Sequence, residues 1–174
     1  AGILNLGVEG MMLVGAIVAF IVMLATGDPW LGVLSALGAG GAMALIFAVL
    51  TVTLQANQVA AGLALSIFGV GVSAFLGKSY VGVAMQSTPR SDVAWLTAMP
   101  VIGPLLAQLH PLVYLSWLLF AMVGWFLFKS RAGLVLRAVG ESPSAAHAVG
   151  YQVTSIRYLA TLFGGAMAGV AGAY

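Results

Sequence analysis

Met11–Leu54 reads MMLVGAIVAFIVMLATGDPWLGVLSALGAGGAMALIFAVLTVTL and contains one charged side chain, Asp28. A helix rises about 1.5 Å per residue, so about 20 apolar residues cross a hydrocarbon core about 30 Å thick. The runs on either side of TGDPW (Thr26–Trp30), Met11–Gly27 and Trp30–Leu54, approach or exceed that length. Asp-Pro punctuates the pair, and Trp30 suits the aromatic belt at a membrane surface. The stretch therefore reads as two spans joined by a tight turn.

Three further runs extend the pattern: Val59–Gly77, Pro111–Phe128, and Tyr158 to the last residue. Across all 174 residues 62% are hydrophobic and only 6% charged, against about 25% charged in soluble domains. The expectation is an all-α, polytopic transmembrane bundle of about five spans, a single domain over residues 1–174. The AGILNLGVEG opening lacks a Met or a charged leader, and the close falls inside a hydrophobic run. We therefore expect a fragment of a longer protein. Having no cysteine removes disulfides and thiolate chemistry. A net charge of +2 is too small for nucleic-acid binding.

The basic residues set the topology. Lys129, Arg131, Arg137 and Arg157 cluster around one loop, 129–157, opposed by Glu141. The positive-inside rule puts that loop in the cytoplasm. Residues 78–110 then form an external connection, QANQ (Gln55–Gln58) lies inside, and TGDPW lies outside. Within the connection, Trp95–Leu109 is moderately apolar, but Pro100, Gly103 and Pro104 favour an external or re-entrant element over a span. Small residues recur four apart at Gly40/Ala44, Gly62/Ser66, Gly69/Ser73 and Gly165/Gly169. This spacing lets helix backbones approach where lipid gives no hydrophobic drive for association.

Several kinds of chemistry are excluded. GVSAFLGKS (Gly71–Ser79) has five residues between its glycines where a phosphate loop needs four, and it ends an apolar run. Lys78 there reads as an interfacial anchor. His110 and His147 fall on opposite sides of the membrane in this topology, and neither belongs to a metal-ligand cluster. The four acids Glu9, Asp28, Asp92 and Glu141 are scattered over separate segments. No catalytic residues, metal site or bound cofactor is expected.

Three stretches carry more information. In GILNLGVEGMM (Gly2–Met12), Asn5 and Glu9 share a face if the segment is helical, whereas Gly2, Gly7 and Gly10 disfavour a continuous helix. An ionised carboxylate at a helix centre costs about 2.5–3.5 kcal/mol on the lenient insertion scale. One reading is a broken helix beside a solute pathway; the other puts Glu9 at the interface before the first span. In TLQANQVAAG (Thr53–Gly62), the amides of Gln55, Asn57 and Gln58 either bind a polar solute or complete an interfacial turn. In ESPSAAHAVG (Glu141–Gly150), Ser142 can cap a helix that starts at Pro143 and is terminated by Gly150. That helix, about 143–149, is too short to be stable alone and needs packing. Its alanine surface suits insertion into a partner's cleft, or a connector lying on the membrane.

NLGVEGMMLVGA (Asn5–Ala16), ANQVAAGLALSIFG (Ala56–Gly69) and GLVLRAVGESPSAAHAVGY (Gly133–Tyr151), followed by Arg157-Tyr158 and GGAMAGVAGAY (Gly164–Tyr174), resemble the permease subunits of bacterial ABC importers. The family is the one shared by branched-chain amino acid, ribose-type sugar and nucleoside systems. The NLGVEGMM stretch is most similar to its nucleoside or simple-sugar branch. The resemblance implies about ten spans in the whole protein and a place in the bacterial inner membrane. It also implies a cytoplasmic coupling helix within 129–157. Pro143, Ala145, Ala146 and Gly150 would contact the ATPase, with Arg137 and Glu141 at the base. Asn5, Glu9, Asn57 and Gln58 would lie near the solute pathway. The implied partners are cytoplasmic ABC ATPase subunits that bind the ATP, a second permease subunit of the same or a different kind, and an extracytoplasmic solute-binding protein. The solute would be a nucleoside or simple sugar. A branched-chain amino acid would call for recognition of a zwitterion, and no charged pair at depth is evident. An ATPase-independent channel or structural membrane protein gives no account of the capped helix.

Overall fold

The computed structural model describes residues 1–83 and 111–174. Trp95–Leu109, Asp92 and His110 lie outside them, as does most of the 78–110 connection. The described chain is helical: α1 (Val8–Thr26), α2 (Pro29–Ala48), α3 (Gln58–Gly77), α4 (Pro111–Lys129), α5 (Arg131–Glu141), α6 (Pro143–Ala148) and α7 (Val153–Ala173). A wide π turn, Val49–Thr53, prolongs α2, and a 3-10 turn, Lys78–Tyr80, ends α3. Five of these helices are long and apolar enough to cross a membrane: α1, α2 with its π turn, α3 with its 3-10 turn, α4 and α7. They coincide with the five runs read from the sequence. The main difference is at α7, which starts at Val153 and so takes Arg157 into its second turn.

The chain divides into two compact units, one of residues 1–85 and 135–174 and one of residues 86–134. In the smaller unit, Ser130 accepts from the Gly133 backbone N–H (2.9 Å) and donates to the Phe126 carbonyl (2.7 Å). Its hydroxyl thus serves the end of α4 and the start of α5. In the larger unit, α1, α2, α3 and α7 surround a core of Met11, Val14, Met43, Ala44, Phe47, Leu65 and Ala168. Met11 and Phe47 are its largest fully buried side chains.

Local signals place the helix ends. Gly27 takes a left-handed conformation (φ 72°), and its N–H donates to the Met23 carbonyl, closing α1. One residue on, the Asp28 carboxylate accepts from Trp30 N–H (2.8 Å) with Pro29 at the first helical position. The Asp-Pro signal is thus an N-cap, and it folds α2 back against α1, with which it is in extensive contact.

Glycines set how closely the helices approach. A Cβ on Gly40 of α2 would overlap the Gly165 carbonyl of α7 and lie 2.8 Å from Gly169 Cα. Two small-residue pairs seen separately in the sequence, Gly40/Ala44 and Gly165/Gly169, therefore dock on each other. Across the larger unit, a Cβ on Gly10 of α1 would lie 2.5 Å from the Leu65 carbonyl oxygen of α3. Here backbone meets backbone, which is the packing expected of helices in lipid.

Gly40→Ala should therefore lower the thermal stability of the full-length protein in detergent by about 1–3 kcal/mol through overpacking. Gly41, with nothing within 4 Å of its added Cβ, is the internal control. Gly41→Ala should be neutral or stabilising by up to about 1 kcal/mol. Equal effects at the two positions would remove the close-packing account.

Candidate functional site

Residues 1–7 are not helical, so Asn5 precedes α1 and does not share a helical face with Glu9. An extended segment against apolar helices leaves backbone groups that must find partners. Side chains supply them. Asn5 Oδ1 accepts from Gly7 N–H (2.8 Å), and Asn5 Nδ2 sits 3.6 Å from Met11 Sδ. Gln58 Oε1 accepts from Leu4 N–H (2.8 Å), and Ser66 Oγ donates to the Leu6 carbonyl (2.9 Å). Two of the stretches singled out in the sequence, Asn5–Gly10 and Asn57–Gln58, are thus brought together along the first turns of α3. At the other end of the segment, Gly2 (φ 67°) lies against Gly140 near the end of α5.

Three of the four expected pathway residues spend their oxygens on backbone. Asn5 and Gln58 do so as described, and Asn57 Oδ1 caps α3 by accepting from Val59 N–H (2.9 Å) and Ala60 N–H (3.2 Å). Glu9 is different. It lies exposed in the first turn of α1, and no hydrogen bond or ion pair engages its carboxylate among the described residues. Its level follows from its neighbour: Gly10 packs on Gly69, the twelfth of the twenty residues of α3. At about 1.5 Å per residue, Gly69 stands about 17 Å from the start of that helix and about 12 Å from its end. Glu9 is therefore level with the middle of α3 rather than with its tip. The extended segment carries the chain part-way up the bundle before α1 begins. Nothing in residue spacing gives this depth; the glycines at 2 and 7 are its only trace in the sequence.

The α2–α3 link is wound unusually. In the π turn, Leu54 N–H donates to the Val49 carbonyl (3.0 Å) and Ala56 N–H to the Leu50 carbonyl (2.9 Å). Gln55 has a positive φ of 51°, a region few non-glycine residues occupy. Thr53 hydrogen-bonds the hydroxyl of Tyr158 at the start of α7. Sequence reading placed the turn but missed the π winding and the Thr53–Tyr158 bond, which depend on α2 and α7 lying side by side. Near that bond, Arg157 Nε is buried with no hydrogen-bond partner among the described residues.

The short helix α6 is close to its expected form. Ser142 accepts from Ala145 N–H (3.4 Å), Pro143 occupies the first position, and Gly150 (φ 94°) follows the Val149 cap. It ends at Ala148, one residue short of expectation. Ala146, read as a contact residue, is buried, so its methyl anchors the helix to the unit instead of facing outward. Pro143 is half-buried, while Ala145, His147, Ala148, Val149 and Gly150 are exposed. Before it, Arg137 and Glu141 occupy exposed positions on α5, and Val139 is fully buried. The sequence reading treated 131–141 as loop. Its apolar side is only Val135, Leu136 and Val139, too brief a pattern to stand out beside the long spans.

Over residues 1–174 the chain matches the family described as "Branched-chain amino acid transport system / permease component". The chain belongs to this permease family. A putative glucose ABC transporter permease protein, TsgC13 of Haloferax volcanii, is 39% identical across 100% of this chain and 54% of its own length. The guanosine ABC transporter permease protein NupQ of Bacillus subtilis is 32% identical, over 99% of the chain and 58% of its own length. The nucleoside ABC transporter permease protein NupC of Lactococcus lactis is also 32% identical, with the same coverage. No solved structure gives a significant match. The chain spans little more than half the length of these relatives. With five helices among the described residues fit to cross a bilayer, this member of the permease family is a multi-pass membrane protein.

Asn57 tests the capping geometry directly. Asn57→Ala should cost about 1 kcal/mol and speed amide hydrogen exchange at Val59 and Ala60. Asn57→Ser, which keeps a capping oxygen, should restore most of both. Unchanged exchange in the alanine variant would show that the cap does not hold α3.

Proposed function

We propose that this chain forms part of the transmembrane permease subunit of an ATP-driven importer for a polar, uncharged solute, a nucleoside or simple sugar. The observation that carries this reading is the match to the permease family across the whole chain, with relatives named for glucose, guanosine and nucleosides. In it, Lys129, Arg131, Arg137 and Arg157 hold the 129–157 segment in the cytoplasm. The external connection 78–110 faces a solute-binding protein. A second permease subunit completes the pathway, and ATP is bound by cytoplasmic ATPase partners.

The geometry of α6 supports the coupling role. A helix of six residues is unstable alone. This one is stopped at both ends and pinned by buried Ala146, so it moves with the unit to which it is attached. Its exposed side chains are Ser144, Ala145, His147 and Ala148, followed by Val149 at the cap; apart from His147 they are small, which suits entry into a cleft. ATP binding that closes the ATPase pair would displace this helix and tip the bundle between outward- and inward-facing states. Asn5, Asn57 and Gln58 shape the pathway wall by fixing the extended segment against α3, and Glu9 faces the pathway.

Transport by the full-length permease, with its ATPase and binding protein in proteoliposomes, tests the reading. ATP-dependent uptake of a nucleoside or sugar is the expected result. Uptake confined to branched-chain amino acids, or solute flux without ATPase subunits, would overturn it. In the same assembly, Ala145→Asp and Val149→Asp should abolish solute-stimulated ATP hydrolysis while leaving the binding protein's affinity unchanged. Wild-type stimulation in both variants would remove α6 from the contact.

A further inference from the structure

We propose that the Glu9 carboxylate is a solute-contacting group of the pathway, accepting hydrogen bonds from two adjacent hydroxyls of a vicinal diol. The proposal rests on the permease reading above and adds the chemical feature of the solute that the membrane subunit itself senses.

Depth comes first. Glu9 adjoins Gly10, whose backbone packs on the middle of α3, so neither end of that helix brings it to a membrane surface. At this level an ionised side chain turned toward lipid is strongly disfavoured, and such groups face a wet cavity or a partner. Glu9 is exposed and has no hydrogen bond or ion pair among the described residues. Nearby polar groups are already engaged: Asn5 on the Gly7 backbone N–H and Ser66 on the Leu6 carbonyl. Glu9 is therefore the group at this level with its acceptor capacity unspent.

The chemistry of the carboxylate then selects the ligand. An ionised carboxylate is acceptor-only, and its two oxygens can take a bidentate pair of donors. Bonds of this O–H···O⁻ kind are short and about twice as strong as neutral ones. An anionic solute would be repelled. Glucose and guanosine, for which relatives are named, differ in ring, size and base, yet both carry adjacent hydroxyls. A carboxylate reads that shared feature and ignores the rest. Removing one hydroxyl leaves one oxygen without its donor.

The test uses the full-length importer in proteoliposomes, supplied with binding protein saturated with each solute, so that differences in delivery cancel. Uptake of a ribonucleoside is compared with that of its 2′-deoxy analogue, and uptake of methyl glucoside with that of its 3-deoxy analogue, which has no adjacent hydroxyls; the two comparisons separate the nucleoside and sugar arms. Wild type should favour the diol by about tenfold in at least one arm, the scale of one charge-assisted hydrogen bond. Glu9→Gln should lose that preference by slowing the diol, with the deoxy solute within about twofold of wild type. Glu9→Asp, which keeps the charge, should retain part of the preference. Three outcomes overturn the proposal: Glu9→Gln transporting like wild type, an equal loss for diol and deoxy solutes, or failure of both variants to insert, which would make Glu9 structural. Absence of any wild-type nucleoside or sugar uptake would overturn the permease reading as well.

Discussion

What holds this bundle together is backbone approach at glycine. In hydrocarbon, moving a leucine from lipid to a helix neighbour gains little, so association depends on close contact and on polar pairing. The larger unit shows this in its buried positions, most of which are glycine or alanine, around a small cluster of large side chains that includes Met11 and Phe47. Bulky residues such as Ile67, Phe75 and Phe163 point outward instead. The arrangement inverts that of a soluble protein, and it follows from the solvent these helices are made for.

Close packing leaves little room for polar side chains except as servants of the backbone. Asn57 and Asp28 cap helices, Asn5 and Gln58 satisfy an extended segment, and Thr51 donates to the carbonyl of Phe47 one turn earlier. An amide in such a position is a structural fitting whatever else it touches. Against that pattern the carboxylate of Glu9 stands apart: the dipole of α1 favours an acid in its first turn, but no hydrogen bond or ion pair engages it among the described residues.

Much of the fold was legible because membrane spans are written in long, nearly charge-free runs. TGDPW and ESPSAAHAVG were also legible, since Asp, Ser, Pro and Gly act on their immediate neighbours. What the sequence withheld depends on contacts between distant residues. The burial of Ala146 is one case: alanine looks the same on either side of a helix. The depth of Glu9 is another, because it is set by Gly10 meeting Gly69, nearly sixty residues away. The π turn at Val49–Thr53 and its bond to Tyr158 belong to the same class. The short helix 131–141 escaped for a different reason. Its apolar face is three residues wide, and its arginines drew attention to charge rather than to periodicity.

The extended segment at residues 1–7 has a mechanical consequence. A helix that changes length must break its own ladder of bonds turn by turn. This segment is fastened instead by separate side-chain clasps at Leu4, Leu6 and Gly7, which open individually without unwinding any helix. Drawn out fully, seven residues would reach up to about 24 Å, but Gly2 (φ 67°) and Gly7 (φ -85°, ψ 5°) are turned, so the segment falls short of that reach. The stretch between Gly140 and the start of α1 is therefore slack that a sliding helix can draw on.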